Sequence, residues 1–277
     1  MGSFFSGMRD ATAIGGFLLI NPRSGSGGPS ADELRAEAEQ RGIETHVLRG
    51  GEEAAEVARR SGADALGMAG GDGSLAEVAE VAIETDRPFA VVPSGTRNHF
   101  ARDLGLDRDD PIAALAAFEG VERRVDVGRV NGDLFLNNVS LGLYARLVHR
   151  REGHRRRRME LARLRALTML ARAPRPLGFT VDGDPVAARV LLVGNNDYSL
   201  ELFSLGERER LDEGLLHLYA AEGVLPTTWE GRTGTEFTIG TRSHSVRAAI
   251  DGEPDELDTP LELRIDPQAL RVLLPGS

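Results

Sequence analysis

The sequence predicts an α/β domain built on a parallel sheet, followed by an antiparallel, β-rich domain. Three observations carry this. Apolar runs alternate with helix-spaced segments over the first hundred or so residues. Three of those runs end in glycine-centred turns: Asn21-Pro22-Arg23-Ser24-Gly25, Gly70-Gly71-Asp72-Gly73-Ser74 and Pro93-Ser94-Gly95-Thr96-Arg97-Asn98. After about Gly120 the pattern changes to short strands separated by Asn-Gly and Asp-Gly turns. Alternating strands and helices imply a mainly parallel sheet covered on both faces.

The elements follow in order. Ala13–Ile20 is apolar but too short for a signal core with its flanks, and Asn21-Pro22 ends it. Its part Gly16–Ile20 reads as a first strand, after a loose lead over Met1–Asp10. Ser30, with Glu33 three residues on, forms a capping box for a helix through Arg41. Glu44–Leu48 is a second strand and Glu52–Arg60 a second helix; Asp64–Ala69 leads into the Gly70-Gly71 turn. Leu75, Val78, Ala79 and Ala82 give Leu75–Ile83 a helical spacing. Phe89–Val92 is a fourth strand, and Asp109 or Asp110 caps a helix that has Pro111 in its first turn.

In the second half, Arg124–Val130 and Leu134–Asn138 flank Asn131-Gly132 as a hairpin. Phe179–Val181 and Pro185–Val193 flank Asp182-Gly183. Leu215–Ala220, Glu236–Ile239, Ser243–Ile250, Pro260–Ile265 and Ala269–Leu274 read as further strands. The expected domains are 1–127 and 128–265, with a last strand in 266–277 that can return to the first domain. Between them, Tyr144–Arg175 joins a basic stretch, Arg150–Arg158, to a leucine-faced helix. That stretch is either a solvated helix face or a contact for anionic lipid headgroups.

Composition narrows the function. The chain has 277 residues, is 41% hydrophobic and carries a net charge of −10, which argues against a nucleic-acid partner. It has no cysteine, which removes disulfides, thiolate metal sites and cysteine nucleophiles. Its 33 basic residues are all arginine. A P-loop, a protein kinase and a Schiff-base enzyme each need a lysine, so none of them accounts for the glycine turns.

Glycine at the carboxyl ends of parallel strands lets backbone N–H groups approach phosphate oxygens. Ser74 opens a helix whose N-terminus favours an anion. Asp72, beside that phosphate position, makes sense if a magnesium ion lies between them. Thr96 and Asn98 offer neutral hydrogen bonds. Glu253, in Asp251-Gly252-Glu253 at a strand end, is a carboxylate that could accept the proton of an attacking hydroxyl.

Together, the three turns, the extension His99-Phe100-Ala101 and Asp251-Gly252-Glu253 resemble the catalytic region of the diacylglycerol kinase and sphingosine kinase superfamily, bacterial lipid kinases above all. The resemblance covers roughly residues 16–274. It implies an N-terminal domain like those of NAD kinases and phosphofructokinases, a C-terminal β-sandwich-like domain, and ATP in the cleft between them. Asn21, Pro22, Arg23, Ser24 and Gly25, then Gly70, Gly71, Asp72, Gly73, Ser74, Leu75 and Ala76, then Gly95, Thr96 and Asn98 would hold the nucleotide. Glu253 would be the general base, with Asp72 in a magnesium-linked network. A structural Mg2+ would be held by the backbone carbonyls of Arg210 and Leu215 and by Glu213.

Three residues depart from the family pattern. His99 stands where aspartate is usual, Glu213 where aspartate is usual, and Ser74 where threonine is common. The reading is an ATP- and Mg2+-dependent kinase of a diacylglycerol-like membrane lipid, cytoplasmic or peripheral at the inner membrane face, with a homodimer as an allowed assembly. Its alternatives are a kinase of a soluble hydroxyl substrate such as NAD, or a nucleotide-binding regulator inactivated by His99. A dinucleotide oxidoreductase fits least, because Pro22 and Pro29 bracket the first turn and Ser30 stands in place of the third glycine.

Overall fold

The structure, a computed structural model, describes residues 15–24, 28–142, 177–199, 206–221 and 229–276. The N-terminal lead, Gly25 and the Arg150–Arg158 stretch lie outside the described residues.

Strand β1 (Gly16–Ile20) sits between β2 (Glu44–Val47) and β3 (Ala65–Gly70), and β3 pairs with β4 (Phe89–Pro93), all in parallel. β1, β3 and β4 are buried along their whole length, as strands covered on both faces must be. Their side chains divide by parity. Phe17, Leu19, Leu66, Met68, Phe89 and Val91 face one core with α2 (Ala54–Arg60) and α3 (Asp72–Glu84). Leu18, Ile20, Ala65, Ala69, Ala90 and Val92 face another with α1 (Ala31–Gln40) and a 3-10 turn over Leu115–Glu119. Ser30 and Glu33 form the reciprocal capping box on α1. Two short helices, α4 (His99–Asp103) and α5 (Pro111–Ala114), follow β4; Asp110 caps α5, with proline in its first turn.

β5 (Val121–Val130) turns through Asn131 and Gly132, at φ 51° and 98°, into β6 (Asp133–Phe135). The predicted second arm of this hairpin is two strands. β7 (Asn138–Gly142) leaves for the other sheet, because residues 136–138 bend to give their N–H groups to Asp251. Pro185–Val193 likewise divides. β8 (Leu177–Val181) pairs with β9 (Asp184–Ala188) in the first sheet, whereas β10 (Val190–Asn195) lies in the second.

The second sheet runs β12-β11-β10-β7-β14-β15 and is antiparallel throughout. It contains β11 (Leu216–Ala221), β12 (Glu230–Gly234), β14 (Ser245–Ile250) and β15 (Glu253–Asp258). β12 and β15 escape the hydrophobic pattern because both are mostly exposed. β13 (Glu236–Gly240) joins β8 to β16 (Leu261–Leu274), which replaces the two strands expected at 260–265 and 269–274. Its ladder with β5 is continuous except for a bulge between Asp266 and Leu270, where Gln268 has φ 49°. The end of β16, Val272 and Leu273, pairs in parallel with β4. One strand therefore belongs to both halves of the molecule. Val139, Leu141, Leu191, Val193 and Leu218 from the second sheet meet Phe179, Phe237, Ile239 and Leu263 from the first in a sandwich core.

Candidate active site

The three glycine turns converge at the carboxyl ends of β1, β3 and β4. Asn21 N donates to Ala69 O, and its side-chain amide donates to Ser74 Oγ at 3.0 Å. Asn21 Oδ1 accepts from Arg23 N at 3.0 Å and so shapes its own turn, with Pro22 and Arg23 exposed and Ser24 bonded back to Asn21 O. Ser94 N donates to Gly70 O. A Cβ on Gly95 would lie 2.4 Å from Gly71 Cα, so a glycine at 95 is what lets these turns touch.

Helix α3 begins at Asp72, three residues earlier than the sequence suggested, and Gly71 at its N-cap supplies no side-chain cap. Its first N–H groups therefore face the turn cluster with no cap from Gly71, the arrangement that receives an anion. Leu75 is fully buried in the core and its N–H is committed to Gly71 O, so Leu75 and Ala76 support the turn from below. Ser74 keeps its hydroxyl at the Asn21 junction.

Asp72 is nearly buried, and its two oxygens accept from His99 N at 3.2 Å and Phe100 N at 3.1 Å. It caps α4 from a neighbouring helix. Asn98, left-handed at φ 50°, closes the third turn: Oδ1 accepts from Gly95 N at 2.8 Å and Nδ2 donates to Gly95 O at 3.0 Å. Its amide is thus spent on the turn, while Thr96 is exposed at the tip. Burial lowers the pKa of His99; Asp72 opposes that shift, and Arg102 and Arg97 reinforce it.

Glu253 comes from the other half of the molecule and meets this cluster. Asp251 and Gly252, at φ 49° and 84°, form the tight turn between β14 and β15, and Glu253 is the first, exposed residue of β15. A Cβ on Gly73 would lie 3.0 Å from Glu253 Cγ. The carboxylate singled out in sequence therefore stands at the N-terminus of α3.

Sequence reasoning missed what holds the two halves in place. Asp251 is buried and accepts from Leu136 N, Asn137 N and Asn138 N at 2.8, 2.7 and 3.0 Å. Burial pushes its carboxyl up to about 7, helped by the charge of Asp72 and opposed by those N–H groups. Arg208 has no exposed side-chain surface. Its guanidinium donates to Asp103 Oδ2 at 2.7 Å, Leu136 O at 2.8 Å, Asn195 O at 2.9 Å and Asn137 Oδ1 at 2.8 Å. The paired asparagines, Asn137-Asn138 and Asn195-Asn196, at the ends of apolar strands are the signal that could have found this network.

The segment carried over as a metal site is differently engaged. Arg210 is exposed and bonded to Asp212. Glu213 Oε2 accepts from Asp197 N at 3.1 Å and lies 3.0 Å from His217 Nε2; Leu215 O accepts from Asn196 N. Among the described residues no cluster of three or more acidic or histidine side chains is arranged for a cation. Magnesium requires a set of oxygen ligands. The set carried over is one carboxylate and two backbone carbonyls, and Leu215 O keeps a second lone pair beside its bond from Asn196 N.

A cavity of about 500 Å³, lined by Phe179, Arg242, Val246 and Arg247 among others, lies at the opposite end of β14. That places it about 17 Å along the strand from the Asp251 turn, too far to serve the glycine cluster.

Comparison with known proteins agrees with this geometry. Residues 16–130 match the diacylglycerol kinase catalytic domain. A Pseudomonas aeruginosa protein named "Probable lipid kinase YegS-like" is 32% identical over 252 aligned residues, covering 80% of each chain. A diacylglycerol kinase of Mycobacterium tuberculosis is 28% identical, covering 93% of this chain and 94% of its own. The crystal structure of a diacylglycerol kinase from Bacillus anthracis strain Sterne superposes with a TM-score of 0.68 over 96% of this chain and 98% of its own, at 18% identity, a likeness of fold. The chain belongs to the diacylglycerol kinase catalytic-domain family and is a kinase with an alcohol group as its acceptor.

Proposed function

We propose that this chain is an ATP- and Mg2+-dependent lipid kinase that phosphorylates the hydroxyl of a diacylglycerol-like membrane lipid. The observation that carries the reading is Glu253 packed on Gly73, at the uncapped start of α3. It sets a proton acceptor beside an anion site.

The turn geometry fits a triphosphate. Gly95 lets the third turn close on Gly71, Gly73 lets Glu253 approach α3, and the first N–H groups of α3 lie at this junction. ATP supplies the phosphoryl group there, and Mg2+ neutralises part of its charge. Asn21 and Ser74 hold the first turn on the helix, and Asn98 holds Thr96 at the tip of the third. Asp72 keeps α4 in register, with both of its oxygens accepting N–H groups, and its charge would help hold a phosphate-bound cation. Glu253 takes the proton of the lipid hydroxyl as that oxygen attacks. Positioning and charge neutralisation are the main terms for this reaction.

The lipid reaches the site from a bilayer surface, with Arg150–Arg158 as the candidate contact for anionic headgroups. Among the described residues no helix is long and apolar enough to cross a membrane.

Labelled ATP and vesicles of mixed lipid extract test the proposal. The wild type is expected to label a lipid with a free hydroxyl, and Glu253→Gln to lower kcat by about 10²- to 10⁴-fold, the usual contribution of a general base. No labelled lipid from the wild type, or equal labelling by Glu253→Gln, would overturn it. Activity indifferent to vesicles or detergent would point to a soluble acceptor.

A further inference from the structure

Arg97 sits in the third glycine turn, between Thr96 and the locked Asn98. It reaches towards the other half of the molecule: its Nη1 would lie 3.0 Å from a Cβ on Gly252, the residue before Glu253. The neighbouring arginines are already committed, since Arg102 and Arg208 both bind Asp103. Arg97 is only partly buried and makes no ion pair with a carboxylate among the described residues.

The local charges favour a cation here. Asp72, Asp251 and Glu253 surround the same junction, and Asp72 and Asp251 are occupied with backbone N–H groups. A triphosphate on the N-terminus of α3 adds further negative charge beside Glu253. The chain has no lysine to offset it.

We infer that Arg97 binds the transferring phosphoryl group, as an arginine supplied in cis. The inference rests on the kinase reading for its donor and is independent of which alcohol accepts. In the step, the acceptor oxygen bonds to the γ-phosphorus while its proton passes to the Glu253 carboxylate. The bond from the γ-phosphorus to the bridging oxygen breaks, and its electron pair leaves on ADP. The guanidinium fork matches phosphoryl oxygens with two parallel N–H bonds, which the point charge of a lysine cannot do. An arginine so placed contributes about 10³- to 10⁵-fold to kcat.

Arg97→Gln and Arg97→Lys test this in the full chain. Calorimetry compares ADP alone with ADP plus fluoroaluminate, which mimics the planar phosphoryl group, both with magnesium present. For Arg97→Gln the affinity for ADP alone should stay within about twofold, while the gain from fluoroaluminate falls at least about 100-fold. On lipid vesicles its kcat should fall about 10³-fold, with the KM for ATP nearly unchanged. Arg97→Lys keeps the charge without the fork and should lie between, and it carries the test if the glutamine variant does not fold. Retention of the fluoroaluminate gain by Arg97→Gln, or no such gain in the wild type, would overturn the inference. An Arg97-dependent gain in a protein that labels no lipid would uphold it while removing the lipid reading.

Discussion

Two arginines at the junction between the halves are placed in opposite ways. Arg208 is dry, bound to Asp103 and to three further oxygens, and stacked with its guanidinium carbon 5.2 Å from the Tyr198 ring centre. Arg97 lies a few residues from Asp103 in sequence, stands half-buried beside Gly252 and binds no carboxylate among the described residues. The carboxyls divide likewise: Asp103 and Asp251 are buried and fully engaged, while Glu253 is exposed. Charges that set the geometry are removed from water and saturated with partners. Charges that would meet the nucleotide are left where a ligand can reach them.

The strongest way to break this contrast is Arg208→Ala. It leaves Asp103 buried with Arg102 alone, and it strips donors from Leu136 O, Asn195 O and Asn137 Oδ1. Removing one partner of a buried ion pair costs about 3–5 kcal/mol, so urea denaturation should show a loss of that size. A double variant, Arg208→Met with Asp103→Leu, should recover only part of it, because Asn137 Oδ1 and Asn195 O each lose a donor, while Leu136 O keeps Asn195 Nδ2. Full recovery would mean that the ion pair alone mattered. Arg97→Gln should leave the same denaturation curve within about 0.5 kcal/mol, as an exposed substitution does.

Asp251 sharpens the contrast through pH. Its folded carboxyl titrates near 7, above the ordinary 3.8, because burial outweighs its three N–H donors. Between those values the folded chain holds a proton that the unfolded chain has released. Stability from this group is therefore fully present below about pH 4 and is lost as pH rises through about 7, by at most about 1.4 kcal/mol per pH unit. Glu33, Glu52 and Glu122 have lowered pKa values and act with the opposite sign, in the acid range below their ordinary 4.5. A fall in unfolding free energy from pH 5 to pH 8, absent in Asp251→Asn, is the expected result. Because burial lowers the pKa of His99, that group acts with the opposite sign in this window, so a wild type whose change from pH 5 to pH 8 equals that of Asp251→Asn is the result that would remove the buried acid from this account.

The same division explains what was legible in the sequence. β1, β3 and β4 are short apolar runs ended by glycine, and α1 carries both halves of its capping box, so local chemistry alone placed them. Glu253 was legible as a candidate because Asp-Gly turns and strand ends are local features, and the family resemblance singled it out among them. What was not legible is long-range. β6 and β7 read as one strand because the bend between them is held by Asp251, more than a hundred residues away. β16 read as two because its bulge looks like a break, although β5 runs beside it from end to end. Asp72 read as a loop residue near metal; it lies in the first turn of a helix and caps another, a role visible only once α4 is placed beside it.

Gly73→Ala is the mildest test and separates stability from activity. Alanine is the better helix former, so the unfolding free energy should rise by about 0.5 kcal/mol. The added Cβ would stand 3.0 Å from Glu253 Cγ, closer than ordinary contact, so the exposed carboxylate must swing aside. A displacement of about 1 Å can cost up to about 10²-fold, and because this side chain is flexible the expected fall in kcat is nearer tenfold. The KM for ATP should hardly change, since the N–H groups of α3 remain. If kcat and stability rose together, Glu253 would not need its seat on Gly73, and the geometry that brings the two halves to one reaction would have to lie elsewhere.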